Sequence, residues 1–245
     1  MMLALYYLYF FLIAIPLLLT LTVVSCIIII IGTAVGNGSW WGYYPAMVWA
    51  RVFCLLSLVR VTVRGREHID KRTSYVFVAN HQGAYDIFSV YGYLGHNFKW
   101  MMKKSLRKIL LVGYTCAKCG HIFVDRSSPT AIRRTISTAE ERLRDGMSLV
   151  VFPEGARTFT GKMGPFKKGA YQLALEFNLP LVPVTIDGSF AVLPRTRMLP
   201  RPGHIELTIH PQIPAPADEA ARGEVIELTR KAIESALPGG CEPVA

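Results

Sequence analysis

The sequence predicts an α/β fold, a mixed β-sheet flanked by helices, behind an N-terminal hydrophobic helical membrane anchor. Beyond residue 60, short apolar runs alternate with amphipathic segments, the texture of strands and helices taking turns. Ahead of that region, no charged side chain occurs before Arg51. With 245 residues and 51% hydrophobic content, the chain has ample material for a sizeable core.

The anchor comes first. From Met2 to Val35 the chain is almost wholly apolar, interrupted only by Pro16, Thr20, Thr22, Ser25, Gly32 and Thr33. A bilayer core requires a helix of about 20 apolar residues, and this run is longer. It also lacks the basic leading region and short apolar stretch of a secretory signal, so it reads as a retained membrane segment. Whether it makes one tilted span or a hairpin bent at Pro16 stays open, because proline kinks are tolerated in membrane helices. Trp40, Trp41, Tyr43 and Tyr44 suit the headgroup boundary. The first cations, Arg51, Arg60, Arg64 and Arg66, follow them, which by the positive-inside rule puts the rest of the chain on the cytoplasmic face. Residues 46–60 fit either a second membrane segment or a helix in the interface. Residues 1–58 are therefore assigned to the anchor and 59–245 to one cytoplasmic domain.

Within that domain, strands are expected at Val61–Val63, Tyr75–Ala79, Phe98–Met102, His121–Val124, Ser148–Phe152, Leu181–Ile186 and Ile205–Ile209. Ser128 as N-cap and Pro129 at the first helical position open a helix whose Ile132, Ile136, Ala139 and Leu143 share a face. Gly169–Phe177 and Val225–Leu237 read as further helices. The proline-rich stretch from Pro194 to Pro216 reads as loop, strand and loop.

Lys and Arg number 27 against 17 Asp and Glu, a formal net charge of +10 that favours anionic partners. The basic residues are too dispersed for a nucleic-acid module, and no fingerprint of one is present. Attraction to an anionic leaflet accounts for them more simply. Five cysteines, an odd number, argue against a disulfide framework. Cys116 and Cys119 with His121, in "CAKCGH", lack the second ligand pair that a zinc site needs and read as structural. The absence of a Gly-x-Ser-x-Gly elbow leaves a hydrolase-type serine nucleophile without support.

"NHQGAYD", residues 80–86, follows an apolar strand and sets His81 five residues ahead of Asp86. On a straight helix these would not face each other, but a turn at Gly83 brings them together. A carboxylate holding one imidazole nitrogen leaves the other free to act as a base toward a hydroxyl. The alternative is a polar strand end with Asp86 capping the next helix. "VVFPEGART", residues 150–158, again ends a strand in a turn, with Glu154, Gly155 and Arg157, and runs into the cationic "GKMGPFKKG" at 161–169. Glycine permits close backbone approach, and a guanidinium fork matches phosphate oxygens. "HIFVDR" at 121–126 places Arg126 at a third strand end, and "LVPVTI" at 181–186 makes a fourth. Bases and anion binders gathered at strand ends are what an α/β sheet offers at its carboxyl edge.

These four stretches, in this order and spacing, resemble the motif blocks of the glycerolipid acyltransferases, most closely those that acylate lysophosphatidic acid. The resemblance covers roughly residues 60–210, and its first block is that family's HX4D motif. It implies transfer of a fatty acyl group from a thioester of coenzyme A or acyl carrier protein, with no cofactor, to the sn-2 hydroxyl of lysophosphatidic acid at a membrane, giving phosphatidic acid. His81 becomes the general base and Asp86 its support. Arg126, Glu154, Gly155 and Arg157, with Lys104 in "KKSL", become acceptor-binding residues. Glu154 would repel a phosphate, so a bridge to Arg157 or to a glycerol hydroxyl is expected of it. The chain departs from the family pattern at Gly83 (usually serine), Ala156 (usually threonine) and Leu110 (usually proline). Acyltransferases with altered third blocks use other lysolipids, so a different lysolipid acceptor is one alternative, and a non-catalytic protein that binds anionic lipid is another.

Overall fold

The computed structural model describes residues 1–125, 127–144 and 147–238. Seven strands form one sheet: β1 (Val59–Arg64), β2 (Val76–Ala79), β3 (Phe98–Lys103), β4 (Ile122–Val124), β5 (Ser148–Val151), β6 (Leu181–Asp187) and β7 (Gly203–Ile209). The helices are α1 (Met2–Tyr9), α2 (Ile15–Val35), α3 (Gly38–Trp41), α4 (Tyr44–Leu56), α5 (Tyr85–Tyr93), α6 (Val112–Lys118), α7 (Pro129–Arg144), α8 (Gly169–Glu176), α9 (Ser189–Val192) and α10 (Arg222–Glu234). Each predicted strand is present, with boundaries shifted by a residue or two. Ser128 caps α7 by accepting the Ala131 N–H at 3.1 Å.

The sheet order is β1-β7-β6-β2-β5-β3-β4, parallel at every neighbouring pair except β6 and β7. The sheet is therefore mixed, and the carboxyl ends of β2, β3, β4, β5 and β6 share one edge. Alternation along β2 shows how both faces are covered. Tyr75, Phe77 and Ala79 join a core with Ala50, Tyr85 and Val90 of α4 and α5, whereas Val76 and Val78 join one with Ala170, Tyr171 and Val225 of α8 and α10.

Met2 to Val35 is one continuous helix, at about 1.5 Å per residue longer than a hydrocarbon core is thick. Pro16 does not break it. A π-helical turn at Phe10–Ala14 lies just before the proline and absorbs its missing N–H and its bulk. The reversal comes later, at residues 36–43, and α4 runs back antiparallel to α2. The Tyr6 and Tyr9 hydroxyls donate to the Ser57 and Leu56 carbonyls at 3.2 and 3.0 Å, and the Trp49 indole donates to Thr22 Oγ1 at 3.0 Å. Trp41 packs flat on Gly32, where a Cβ would lie 2.3 Å from the ring.

Helix α4 lies between α2 and α5, touching both. Its buried residues Ala46, Ala50 and Cys54 recur every fourth position and form a stripe of small side chains that lets α5 approach closely. At the crossing Arg51 Nε donates to the Gly92 carbonyl at 2.7 Å. Leu5, Leu8, Leu12, Leu19, Val23 and Ile31 stay exposed on the outer side of α1 and α2, an apolar surface facing away from the domain.

A buried polar relay ties this helical hairpin to the sheet. The Trp100 N–H donates to His121 Nδ1 at 3.3 Å, His121 Nε2 lies 3.4 Å from the Tyr91 hydroxyl, and that hydroxyl donates to the Gly42 carbonyl at 3.2 Å. His121 must be neutral to accept at Nδ1. Burial, reinforced by nearby Lys99, lowers its pKa to about 3. The folded state therefore resists a proton that the unfolded chain takes up below about 6.5. The relay's stabilisation is fully present above that pH and is lost as pH falls toward about 3. The thermal midpoint of the chain in detergent should drop over this window, and His121→Gln should flatten the dependence; an unchanged slope would mean that other groups carry it.

Candidate active site

Strand β2 ends at Ala79, and the next two residues are fixed by bonds that replace the ladder. The Asn80 side chain bonds both backbone groups of Ile186 on β6, donating to its carbonyl at 2.9 Å and accepting from its N–H at 2.8 Å. His81 follows at the carboxyl edge. Its N–H donates to Glu154 Oε1 at 2.7 Å and its carbonyl accepts the Thr158 N–H at 2.9 Å. The backbone of the histidine is thus clamped to the turn after β5 from both sides.

The imidazole is held with equal care. His81 Nδ1 lies 2.7 Å from Asp86 Oδ2, which also accepts the Gly83 N–H at 2.9 Å. The Asp86 side chain has no solvent exposure and that of His81 only 14%. Buried among donors, the carboxylate selects the Nδ1–H tautomer and leaves Nε2 with a free lone pair. The ring lies flat on Phe152, with centroids 4.0 Å apart and planes 6° apart, and Phe152 rests in turn on Trp100. The aspartate fixes rotation within the ring plane and the phenylalanine fixes the tilt of that plane.

Gly83 marks where the chain turns. A Cβ there would stand 2.5 Å from both the carbonyl oxygen and the Oγ of Ser189 and 2.9 Å from the Leu193 carbonyl. The serine common at this point in the family has no room in this chain, because the α9 turn occupies the space. Ser189 Oγ has no hydrogen-bond partner among the described residues and sits where that serine's side chain would lie.

The structure places the other predicted site residues in three ways. Glu154 makes no bridge to Arg157 among the described residues, because both of its oxygens are taken by backbone N–H groups. One oxygen takes the His81 N–H and the other takes the Gly164 N–H at 2.7 Å, closing the loop 155–163 against the histidine. Burial raises its pKa, partly offset by these two bonds. Gly155 has φ +77°, and a side chain there would meet Lys167 Nζ at 2.5 Å, so glycine both makes the turn and admits the lysine. Arg157 is half-buried beside Thr158, and no hydrogen bond or ion pair engages it among the described residues.

Lys104 is further away. β3 is two places from β2 across the sheet, about 10 Å at normal strand spacing. Its ammonium bonds Asp125 Oδ2 at 2.5 Å, and with the Ser127 bonds this lowers the Asp125 pKa to about 2. Arg126 lies outside the described residues. Sequence reasoning missed Phe152, Asn80 and Lys167. Phe152 had a signal as the last residue of an expected strand directly before the Glu-Gly turn, while Asn80 and Lys167 lay inside the stretches 80–86 and 161–169 without anything to single them out. The cysteines of "CAKCGH" sit in and just after α6, where burial pushes the thiols up to about 11 for Cys116 and about 12 for Cys119, far from thiolate chemistry.

Comparison with known proteins bears on the family and the fold. The Acyltransferase family model matches residues 60–187, from β1 through the end of β6. A 1-acyl-sn-glycerol-3-phosphate acyltransferase of Chlamydomonas reinhardtii is 32% identical over 183 residues, 73% of this chain and 53% of that protein. The alpha form of the same enzyme from Mus musculus is 29% identical over 194 residues, 74% of this chain and 68% of that protein. The chain spans about half the length of the plant and algal relatives it matches. Among solved structures, the 1-acyl-sn-glycerophosphate (LPA) acyltransferase of Thermotoga maritima superposes with a TM-score of 0.77 at 26% identity, covering 95% of both chains. With an HX4D pair closed by a buried carboxylate and more than half of its length matched by the family model, this chain belongs to the acyltransferase family.

Proposed function

We propose that this protein transfers a fatty acyl group from a thioester, on coenzyme A or acyl carrier protein, to the sn-2 hydroxyl of lysophosphatidic acid, forming phosphatidic acid. The observation that carries the reading is the 2.7 Å contact between His81 Nδ1 and the solvent-free Asp86 carboxylate. It supplies an imidazole of defined tautomer whose other nitrogen is available as a base.

The chemistry needs no acyl-enzyme. His81 Nε2 takes the hydroxyl proton as the acceptor oxygen attacks the thioester carbonyl. Asp86 remains ionised and stabilises the imidazolium that forms. Collapse of the tetrahedral intermediate breaks the carbon–sulfur bond, and the imidazolium proton passes to the departing thiolate. Phe152 keeps the ring from tilting between the two proton transfers. The role follows from restraint: a ring fixed on one edge and one face spends no orientational entropy at the moment of reaction.

Arg157, unoccupied by any described group, is suited to the acceptor phosphate, with Lys167 over Gly155 as a second cation on the same turn. Arg126 belongs to this group by the resemblance of its block. Lys104, already neutralised by Asp125, contributes less. Glu154 acts as a positioning residue, holding the turn that bears Arg157 against the backbone of His81. Cytoplasmic orientation of the site follows from the first cations after residue 50.

Transfer from labelled acyl-thioester to lysophosphatidic acid in detergent tests the reading directly. His81→Ala should lower turnover by about 10²–10⁴-fold while the chain still folds and floats with vesicles; near wild-type turnover would refute the base assignment. For Arg157→Ala, apparent affinity for lysophosphatidic acid should fall by about tenfold or more, the value of a lost charge-assisted bond, with donor affinity unchanged. Equal losses for both substrates, or full activity on an acceptor lacking phosphate, would count against a phosphate role. Glu154→Gln separates positioning from binding: one N–H loses its acceptor, which costs about 1–3 kcal/mol, so turnover should fall about 5- to 160-fold with acceptor KM nearly constant. A rise in acceptor KM at constant turnover would instead make Glu154 a substrate ligand.

A further inference from the structure

The segment between β3 and α6 carries a surface that the proposed chemistry does not use. Every residue from Lys103 to Leu110 is exposed. Among them Leu106, Ile109 and Leu110 are 39%, 49% and 93% exposed, and Tyr114 on the following helix is 54% exposed. An apolar side chain as open as Leu110 is ordinary when isolated, but three on one loop followed by Tyr114 in the next helix are not.

The backbone holds this display in place. Leu111 has φ +62° and ψ −57°, and the Val112 N–H donates to the Leu110 carbonyl at 2.7 Å, a strained γ-turn that a branched residue rarely adopts. Below the turn the loop packs on itself: the Gly113 N–H donates to the Ile109 carbonyl at 2.7 Å, and a Cβ at 113 would lie 2.3 Å from the Arg107 carbonyl oxygen. The strain is borne to turn Leu110 outward.

Cations ring the apolar tip. Arg107 lies over the Phe123 ring at 5.8 Å and Lys118 over the Tyr114 ring at 5.4 Å, with Lys108 exposed between the leucines. The loop also lies against the anchor, because α6 packs on α2. Since β3 runs parallel to β5, and β5 to β2, the loop leaves the sheet at the same edge as His81.

We propose that the Leu106–Tyr114 loop is a second membrane contact, inserting Leu110 and its apolar neighbours into an anionic leaflet while Arg107, Lys108 and Lys118 meet lipid headgroups. Apolar tips flanked by cations are what partition into such an interface, and continuity with α2 gives the contact its direction. The inference rests on the reading of Met2–Val35 as a membrane anchor. With that anchor and the loop both engaged, the carboxyl edge of the sheet faces the bilayer in which a lysolipid acceptor resides.

Nitroxide labels at Leu110→Cys and, on the opposite layer of the sheet, Leu228→Cys test it in the full chain bound to vesicles. Both positions are exposed, so labelling leaves the core alone, and the unsubstituted chain provides the blank for the native thiols. In vesicles of phosphatidylcholine and phosphatidylglycerol, position 110 should be relaxed by lipid-soluble oxygen and shielded from an aqueous nickel chelate, with position 228 the reverse. Replacing phosphatidylglycerol with phosphatidylcholine, or introducing R107Q with K108Q, should raise nickel access at position 110 several-fold. A chain that floats with vesicles but shows position 110 as open to nickel as position 228 overturns the loop contact and leaves the anchor standing. A chain that fails to float overturns both. Shielding at position 110 that ignores both lipid charge and R107Q with K108Q overturns the headgroup role of the cations.

Discussion

The site depends on a carboxylate that water never reaches. Asp86 sits at the start of α5 with no exposed side-chain surface, and its Oδ2 takes both the His81 ring N–H and the Gly83 backbone N–H. A buried anion is costly, and here the donors on one of its oxygens, Oδ2, are the ones that aim the imidazole, while Oδ1 is buried with no hydrogen-bond partner among the described residues. Geometry and solvation are the same interaction. The turn at Gly83, the position of α5 and the tautomer of His81 all follow from it.

Around that pair, the turn after β5 acts as a cross-brace. Glu154 holds the backbone of His81 with one oxygen and Gly164 with the other, while the Thr158 N–H returns to the His81 carbonyl. The motif blocks are therefore joined through main-chain atoms, and the guanidinium of Arg157 is presented by a turn with no freedom to drift. An acid among anion-binding residues looked like a conflict in the sequence. It is resolved because the acid faces inward, taking the amide hydrogens of His81 and Gly164.

The anchor is integral to the same design. Helix α4 is shared: its small-residue face receives α5, which carries Asp86, and its other side supports α2. The relay from Trp100 through His121 and Tyr91 to Gly42 adds a polar tie between the sheet and the hairpin tip. The placement of the long apolar helix and the orientation of His81 are thereby coupled through one packed body.

Periodicity and turn chemistry were enough to identify all seven strands, the helix capped by Ser128 and the long apolar anchor, because each of these signals is local. The four strand-end blocks and the pairing of His81 with Asp86 were equally legible, since they lie in short stretches of fixed spacing. What the sequence could not determine arises between segments distant along the chain. The stacking of Phe152 on His81, the clamp of Asn80 on Ile186, and the diversion of Lys104 to Asp125 each need the strand order β6-β2-β5-β3-β4. The passage of the helix through Pro16, allowed by the π-helical turn ahead of it, and its reversal only after Val35 were visible only in the folded chain. Composition settles which residues are apolar and which can carry a proton. Only the folded chain settles which of them water is excluded from, and that exclusion is what makes an ordinary histidine and aspartate into an oriented pair.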